Sequence, residues 1–410
     1  MRALTTALSA TLALTACQCE SLQTFPAEPS PSTGGGGAGA SATTAVTTST
    51  SATGGGGGAA LDECNTRLLD RDTVPLRTWT SCGPGCEIAP GALFEGFVGF
   101  RSPSVASGYD SEGRLRMHLA WGKVGTMVRE LFYPSDPARN VYVEQQAPCQ
   151  GPVTRVPSPE LFGTIRPGKL FFYRVGLDGG LERIAGEIIP DGSSYHPFLF
   201  DGRVGTLVSV ASLYLSTSAD TLDLEHIYGN GAVQLSPTLV GDKLLWTDWS
   251  GPEVTIRTLD ANGQFGTVIE NEPEIPLFMW GHGNEAMVML AAGEPQSVVH
   301  GSFEYVRAGQ IKNGQVQGGP TINLQKRAGE IGYGGRLAIS GNCPNTTTEE
   351  LCLYVMDMQQ NTVTMRARHV DLPLNGRIMM FFGADETHIY FAMLKEPENS
   401  IPELLRLTWQ

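Results

Sequence analysis

A serine hydrolase elbow needs Gly-x-Ser-x-Gly on a sharp strand-to-helix turn. The nearest approach is Gly108-Tyr109-Asp110-Ser111-Glu112-Gly113, in which the first glycine stands one residue too far from Ser111. The His-Glu-x-x-His pair, the phosphate-cradling Walker loop and the EF-hand loop do not occur. His282-Gly283-Asn284-Glu285 puts two possible metal ligands on a turn with no evident third. Asp70 and Asp72 begin an oxygen series that Val74 and Pro75 interrupt, so they read as a solvated loop rather than a calcium site. No metal and no cofactor is expected. Carboxylates for glycoside chemistry need not be neighbours in sequence, so a pair assembled from distant segments stays open.

The most specific neighbourhood belongs to Cys17. Arg2 supplies a minimal positive n-region, Ala3 to Ala13 is a short run of Ala, Leu, Thr and Ser, and Leu14-Thr15-Ala16 precedes the cysteine. Such a run is too short to span a bilayer as a mature helix. Leu14 to Cys17 resembles the lipobox of bacterial lipoproteins. That resemblance implies cleavage before Cys17 and a diacylglycerol on its thiol. With Gln18 rather than Asp next, it also implies passage to the outer membrane. Two or more acyl chains anchor stably where one does not. After the signal, 1–16, residues 17–60 are Ser, Thr, Ala, Pro and glycine runs, with Leu22, Phe25 and Val46 the only large apolar residues after Glu20. This composition cannot bury enough apolar area to offset chain ordering, and it predicts a flexible tether with a mean reach of ~35 Å.

Export to an oxidising compartment predicts disulfides among Cys64, Cys82, Cys86, Cys149, Cys343 and Cys352, leaving Cys19 in the tether. Cys343 and Cys352 flank a polar stretch between two strand-like runs and are expected to pair. Cys82-Gly83-Pro84-Gly85-Cys86 is tight, so its two cysteines are expected to pair outward with Cys64 and Cys149, in an order the spacing leaves open. A zinc site, which needs four ligands at ribbon spacing, is the minor alternative.

The elements that must position any site follow from composition and repeats. In 410 residues only 17% are charged, with 50 Gly and 26 Pro, a balance that favours an all-β chain rich in turns. The net charge of -14 excludes nucleic acid as a partner, because phosphate binding needs a basic patch whose counterion release drives affinity. From 61 to 410 a turn signal followed by an apolar run recurs. It appears at Gly113-Arg114-Leu115, Gly168-Lys169-Leu170, Gly202-Arg203-Val204, Asp242-Lys243-Leu244, Gly335-Arg336-Leu337 and Gly376-Arg377-Ile378, and in weaker form at Gly283-Asn284. A second turn signal falls between these, at Asp178-Gly179, Asn230-Gly231, Asn262-Gly263, Asn313-Gly314 and Gln360-Asn361. The flanks alternate as strands do, and two hairpin turns per unit imply four strands.

This pattern resembles the TolB-like β-propellers, whose blades begin Ser-Pro or similar and run through a Gly-Asp-Lys type turn into an apolar strand. Tyr195-His196-Pro197 and Leu235-Ser236-Pro237 overlay residue by residue before their turns. The resemblance implies an all-β propeller of seven four-stranded blades, with six as the alternative.

Propeller geometry then sorts residues by end. Turns between the first and second strands of a blade lie at one end. Segments leading into a blade, and those joining its second and third strands, lie at the other, where ligands are expected. Trp121, His196, Asp248, Trp249 and Trp280 are expected to converge there, joined by the loop around Cys343 to Cys352 and by Asp385 with Glu386. Aromatic rings beside carboxylates suit a glycan or peptide. Trp246 is expected between blades. The sequence therefore reads as a lipid-anchored envelope protein, its propeller a scaffold for an envelope protein or glycan. The alternative is a propeller polysaccharide hydrolase or lyase with acids from separate blades.

Overall fold

The computed structural model describes residues 65–410 apart from 96–97, 100–104, 111–112, 124, 147–160, 167–168, 176–179, 187–194, 209–211, 220–222, 230–233, 249–253, 270–273, 294–302, 325–326, 345–349 and 396–399. The signal, Cys17, Cys19, the tether, Cys64, Cys149 and Trp249 lie outside the described residues, as do the turn signals at Asp178 and Asn230. Among the described residues the helical pieces are three short 3-10 turns, and no helix is long and apolar enough to cross a membrane.

The strands form seven antiparallel sheets. From inside outward, the first contains Val105–Tyr109, Leu115–Lys123, Thr126–Phe132 and Val141–Gln146, and the second Leu161–Arg166, Lys169–Val175 and Leu181–Gly186. The third is Tyr195–Phe200, Arg203–Val208, Ser212–Ser216 and Leu224–Tyr228; the fourth is Gln234–Val240, Lys243–Asp248, Thr255–Asp260 and Phe265–Ile269. The fifth is Ile275–His282, Glu285–Ala292, Tyr305–Lys312 and Gln315–Ile322; the sixth is Arg327–Tyr333, Arg336–Asn342, Leu351–Asp357 and Thr362–Arg368. The seventh takes Ile378–Ala384, His388–Lys395 and Ser400–Thr408 from the C-terminus, then Cys86–Pro90 and Thr80–Gly83 from the N-terminal side. The first strands pack against one another between the second and third sheets and from the fourth sheet round through the seventh to the first, and shared core side chains join the first sheet to the second and the third to the fourth, so the sheets succeed one another in a ring. The all-β propeller expectation is met, and the two blades expected before residue 190 correspond to the first sheet and to the second, which has three strands among the described residues.

Period-two alternation explains why the sheets stack. Side chains point alternately to the two faces of a strand, so one with a sheet on each side must be apolar at every position. In Glu285–Ala292, Met287, Met289 and Ala291 face the sixth sheet, while Ala286, Val288 and Leu290 face the fourth. In Lys243–Asp248, Leu244 and Trp246 pack toward the third sheet and Leu245 toward the fifth, as expected for Trp246. The same pattern joins the sixth sheet to the seventh through Leu353 and Phe391, and the seventh to the first through Tyr390 and Met117.

The ring closes by a route that the repeats did not indicate. Cys86–Pro90 pairs antiparallel with the C-terminal strand, Cys86 opposite Leu407 and Pro90 opposite Glu403. Arg67–Leu68, from the same N-terminal segment, pairs with Val143 and Glu144 on the outer strand of the first sheet. One stretch of chain thus stitches both sides of the seam. Between the two strands, Arg77 donates to the carbonyl of Pro90 and to the Glu130 carboxylate of the first sheet, with its side chain 1% and that of Glu130 0% exposed. Trp79 packs edge-on to Tyr390 and beneath the Arg406 guanidinium of the seventh sheet.

Three expectations are corrected here. Cys82 and Cys86 bond to each other, with Cα atoms 5.2 Å apart, rather than pairing outward. Gly83 and Gly85 both take positive φ, which lets the short loop turn tightly enough to bring the two sulfurs together. Gly376-Arg377-Ile378 does not join two strands of a blade but leads into Ile378–Ala384. The corresponding turn is at Asp385–Thr387, so Asp385 and Glu386 lie at the end opposite the one expected. The expected bond between Cys343 and Cys352 is present, with Cα atoms 5.0 Å apart.

Candidate functional site

Each inner strand delivers its last residue to the axis at the end where the tight turns lie. Four of these residues are aromatic: Phe200 of the third sheet, which packs in the core against the fourth, and Tyr109 of the first sheet, His282 of the fifth and Tyr333 of the sixth, which meet one another. The ring centroids of these last three form a triangle with sides of 5.0 Å from Tyr109 to His282, 5.4 Å from Tyr109 to Tyr333 and 4.5 Å from His282 to Tyr333. Rings this close are in mutual contact, so the first, fifth and sixth sheets meet through them at this end. His282 Nε2 lies 3.3 Å from the Gly113 carbonyl, reaching past the sixth and seventh sheets to the first. Gly113 has φ of +75°, and a Cβ there would meet His282 Nε2 at 3.1 Å, so glycine suits both the turn and the approach.

The Tyr109 hydroxyl donates to the Ala384 carbonyl of the seventh sheet at 2.6 Å. Burial, then the neighbouring Tyr333, Asp385 and Tyr390, push its pKa well above the ordinary tyrosine value. Tyr333 is raised by burial and by Asp385 and Glu386, and Tyr390 by burial and by Asp385, to which its hydroxyl donates at 2.7 Å. These phenols stay protonated at neutral pH. They can donate hydrogen bonds and offer apolar faces, but they cannot serve as bases.

Of the five residues expected on one rim, Trp249 lies outside the described residues, and the other four do not assemble there. Trp121 is 1% exposed in the core between the first and seventh sheets, where its Nε1 donates to Glu130 Oε2 at 3.2 Å. It sits within the strand Leu115–Lys123, whose two faces are both covered, so its ring offers no ligand surface. Asp248 is likewise buried. It accepts from the Tyr228 hydroxyl, a bond that ties the third sheet to the fourth, and from Arg257 Nε of its own sheet at 3.3 Å. Burial first, and then the bond to Asp248, raise the Tyr228 pKa. Trp280 is half-buried against Phe278 and over Gly332, near the turn end of its strand and therefore at the end opposite the other residues of the group. His196 lies opposite Leu207, near the start of its inner strand and so at the expected end.

The possible metal ligands are separated as well. Glu285 turns away from His282 to pair with Lys312 at 2.5 Å and to accept from Gln310. Asp70 caps a 3-10 turn by accepting from the Asp72 amide at 3.1 Å, in keeping with a solvated loop. Among the described residues no group of three metal-ligating side chains converges. Sequence reasoning singled out His282 for metal chemistry and missed its two tyrosines. The available signal was position: each is the last residue before the first turn of its blade.

No protein-family model matches the chain, and the search of curated proteins found no match. Among solved structures, virginiamycin B lyase from Staphylococcus aureus is similar at 14% identity over 79% of this chain and 99% of that one, with a TM-score of 0.43. An oligogalacturonate lyase in complex with manganese is similar at 10% identity over 81% and 96%, with a TM-score of 0.46. The β-propeller domain of the Trilobed protease from Pyrococcus furiosus, described as having an open velcro topology, matches at 10% identity over 76% and 96%, with a TM-score of 0.46. At these identities and scores none of them carries an assignment of function, and it is the chain's own ring of seven sheets that makes it a β-propeller.

Proposed function

We propose that the chain is an outer-membrane lipoprotein, anchored through Cys17 and held off the bilayer by residues 17–60, whose propeller is a scaffold for an envelope protein or glycan. One observation favours binding over the hydrolase or lyase alternative. The four buried carboxylates among the described residues are each bonded to an arginine: Asp110 to Arg114, Glu130 to Arg77, Asp248 to Arg257 and Glu274 to Arg307. The seven inner strands carry a single carboxylate, Glu330, whose oxygen is 3.2 Å from Arg327 of the same strand. Glycosidic bond cleavage by acids from separate blades needs two facing carboxylates, one of them free to hold a proton. The aromatic triangle occupies the turn end, so the ligand is proposed to approach from the other end, where His196 begins its strand; Trp249, outside the described residues, is kept as a proposed contact.

Two measurements test this reading. Cys17→Ser should move the full chain from the membrane fraction to the soluble or unprocessed pool, and continued lipidation of that variant overturns the anchor. Purified protein mixed with envelope polysaccharides should bind without releasing reducing ends or unsaturated sugars. Release of either product would establish the enzymatic alternative.

A further inference from the structure

The two disulfides described above both touch core clusters but differ in exposure. Cys343 and Cys352 are 4% and 0% exposed, inside the core between the fifth and sixth sheets. The bond between Cys82 and Cys86 is at the outer edge of the seventh sheet. There Gly83, Pro84 and Gly85 are exposed, Cys82 is half-buried and Cys86 is 7% exposed. The loop that this bond closes is docked as well as cross-linked. The Gly85 carbonyl accepts from the Thr408 amide at 2.9 Å and from Arg366 Nη2 at 3.2 Å. Arg366 belongs to the outer strand of the sixth sheet, and its Nε donates to the Thr408 carbonyl at 2.7 Å. The fit is close enough that a Cβ on Gly85 would come within 2.4 Å of Thr408 Oγ1. The cross-linked tip therefore touches the last strand and the neighbouring blade, and it leads directly into the strand that closes the ring.

We propose that Cys82–Cys86 is a thiol–disulfide exchange site whose state sets how firmly the N-terminal strand holds the seam, and that its reaction partner is a dithiol. A thiolate of the dithiol attacks Cys82 Sγ, the reachable sulfur, and the Cys82–Cys86 bond breaks with Cys86 leaving as a thiolate that takes a proton from water. The partner's second thiolate then attacks the mixed disulfide and releases Cys82. Two electrons pass to the chain, which gains two thiols, and the partner leaves as a disulfide. Without the cross-link, the positive φ angles of Gly83 and Gly85 lose their constraint and the docked carbonyl its fixed position. The hairpin of Thr80–Gly83 and Cys86–Pro90 then opens more readily. Cys343–Cys352, enclosed by core side chains, stays oxidised under the same conditions. This inference does not depend on what the propeller binds.

The test uses the full oxidised chain and dithiothreitol as the dithiol. Alkylation followed by peptide mapping should find Cys82 and Cys86 modified at reductant concentrations that leave Cys343–Cys352 intact. Amide exchange across Cys86–Pro90 should then rise by about thirtyfold, the factor that closing so short a loop contributes in the chain-entropy treatment. Exchange in Leu351–Asp357 should stay unchanged. Reduction of both pairs together overturns the proposal, as does selective reduction that leaves exchange at the seam unaltered. The C82S/C86S variant should reproduce the rise without reductant. The wild-type experiment decides the question by itself if that variant does not fold.

Discussion

Replacing Arg77 with Met should be among the most damaging single changes outside the blade cores. The guanidinium is buried and meets four partners: the Pro90 carbonyl on the closing strand, the Gly91 carbonyl at 3.4 Å, the Glu130 carboxylate on the first sheet and the Phe132 ring at 5.3 Å. Its loss leaves Glu130 buried with the Trp121 indole as its other bonded neighbour. Removing one partner of a buried ion pair costs about 3–5 kcal/mol, chiefly because a charge stays behind without compensation. Replacing both partners with apolar residues of similar volume is close to neutral. Arg77→Met alone should thus lose about 3–5 kcal/mol in guanidinium denaturation, and Arg77→Met with Glu130→Leu should recover most of it. A double-mutant cycle read by circular dichroism gives the coupling. Amide exchange in the single variant should rise first at Arg67–Leu68 and Cys86–Pro90, the two strands that stitch the seam. A loss under about 1 kcal/mol, or a double variant as unstable as the single, would refute the assignment of the seam to this pair.

Three further outcomes are expected. Gly113→Ala should destabilise by about 1 kcal/mol or more, since its φ of +75° and its approach to His282 both disfavour a Cβ, and near-ultraviolet circular dichroism should report the disturbed rings. Tyr109, Tyr333 and Tyr390 are raised in the folded state, and Tyr142 is pushed up to about 12 by burial and by Glu130. Their contribution to stability is therefore complete below the unfolded value of about 10 and declines as pH rises through the folded values. An absorbance titration should show a tyrosine fraction that ionises only above about pH 10 and in step with unfolding. Cys352→Ala should cost about 2–3 kcal/mol from the lost cross-link, measured by denaturation under non-reducing conditions, because a short loop is closed by that bond.

The turns were legible wherever a glycine or Asx residue preceded a basic and an apolar residue, because such turns need positive φ and the following strand is buried on both faces. Gly113, Gly202 and Gly335 stand before second strands for this reason, and before Asp242 it is Gly241 that takes the positive φ. Gly376 carries the same signature for a different purpose, leading into the seventh sheet. The true turn there uses no glycine: Asp385 Oδ1 accepts from the Thr387 and His388 amides at 2.8 Å and shapes the chain with its side chain instead. The closing strand was invisible to the repeat because Cys86–Pro90 joins its sheet across nearly the whole chain, and alternation within five residues does not name a partner. The proposed rim failed for a related reason. Trp121 and Asp248 were placed in connections, whereas both are in second strands, whose two faces are covered by neighbouring blades. A shift of a few residues exchanges an exposed position for a core one. The aromatic triangle joins residues from three sheets, and no local pattern relates Tyr109 to Tyr333.

The binding account is tested most directly by retention of the full chain on immobilised outer-membrane extract, compared across three variants. His196→Ala and Trp249→Ala alter residues proposed to meet the ligand, and Asn284→Lys alters an exposed residue in the turn after His282, at the end of the aromatic triangle. The account predicts that the first two lose retention while Asn284→Lys keeps it. Retention that survives both alanine variants and is lost in Asn284→Lys would contradict it, and would put the ligand on the face that carries Tyr109, His282 and Tyr333.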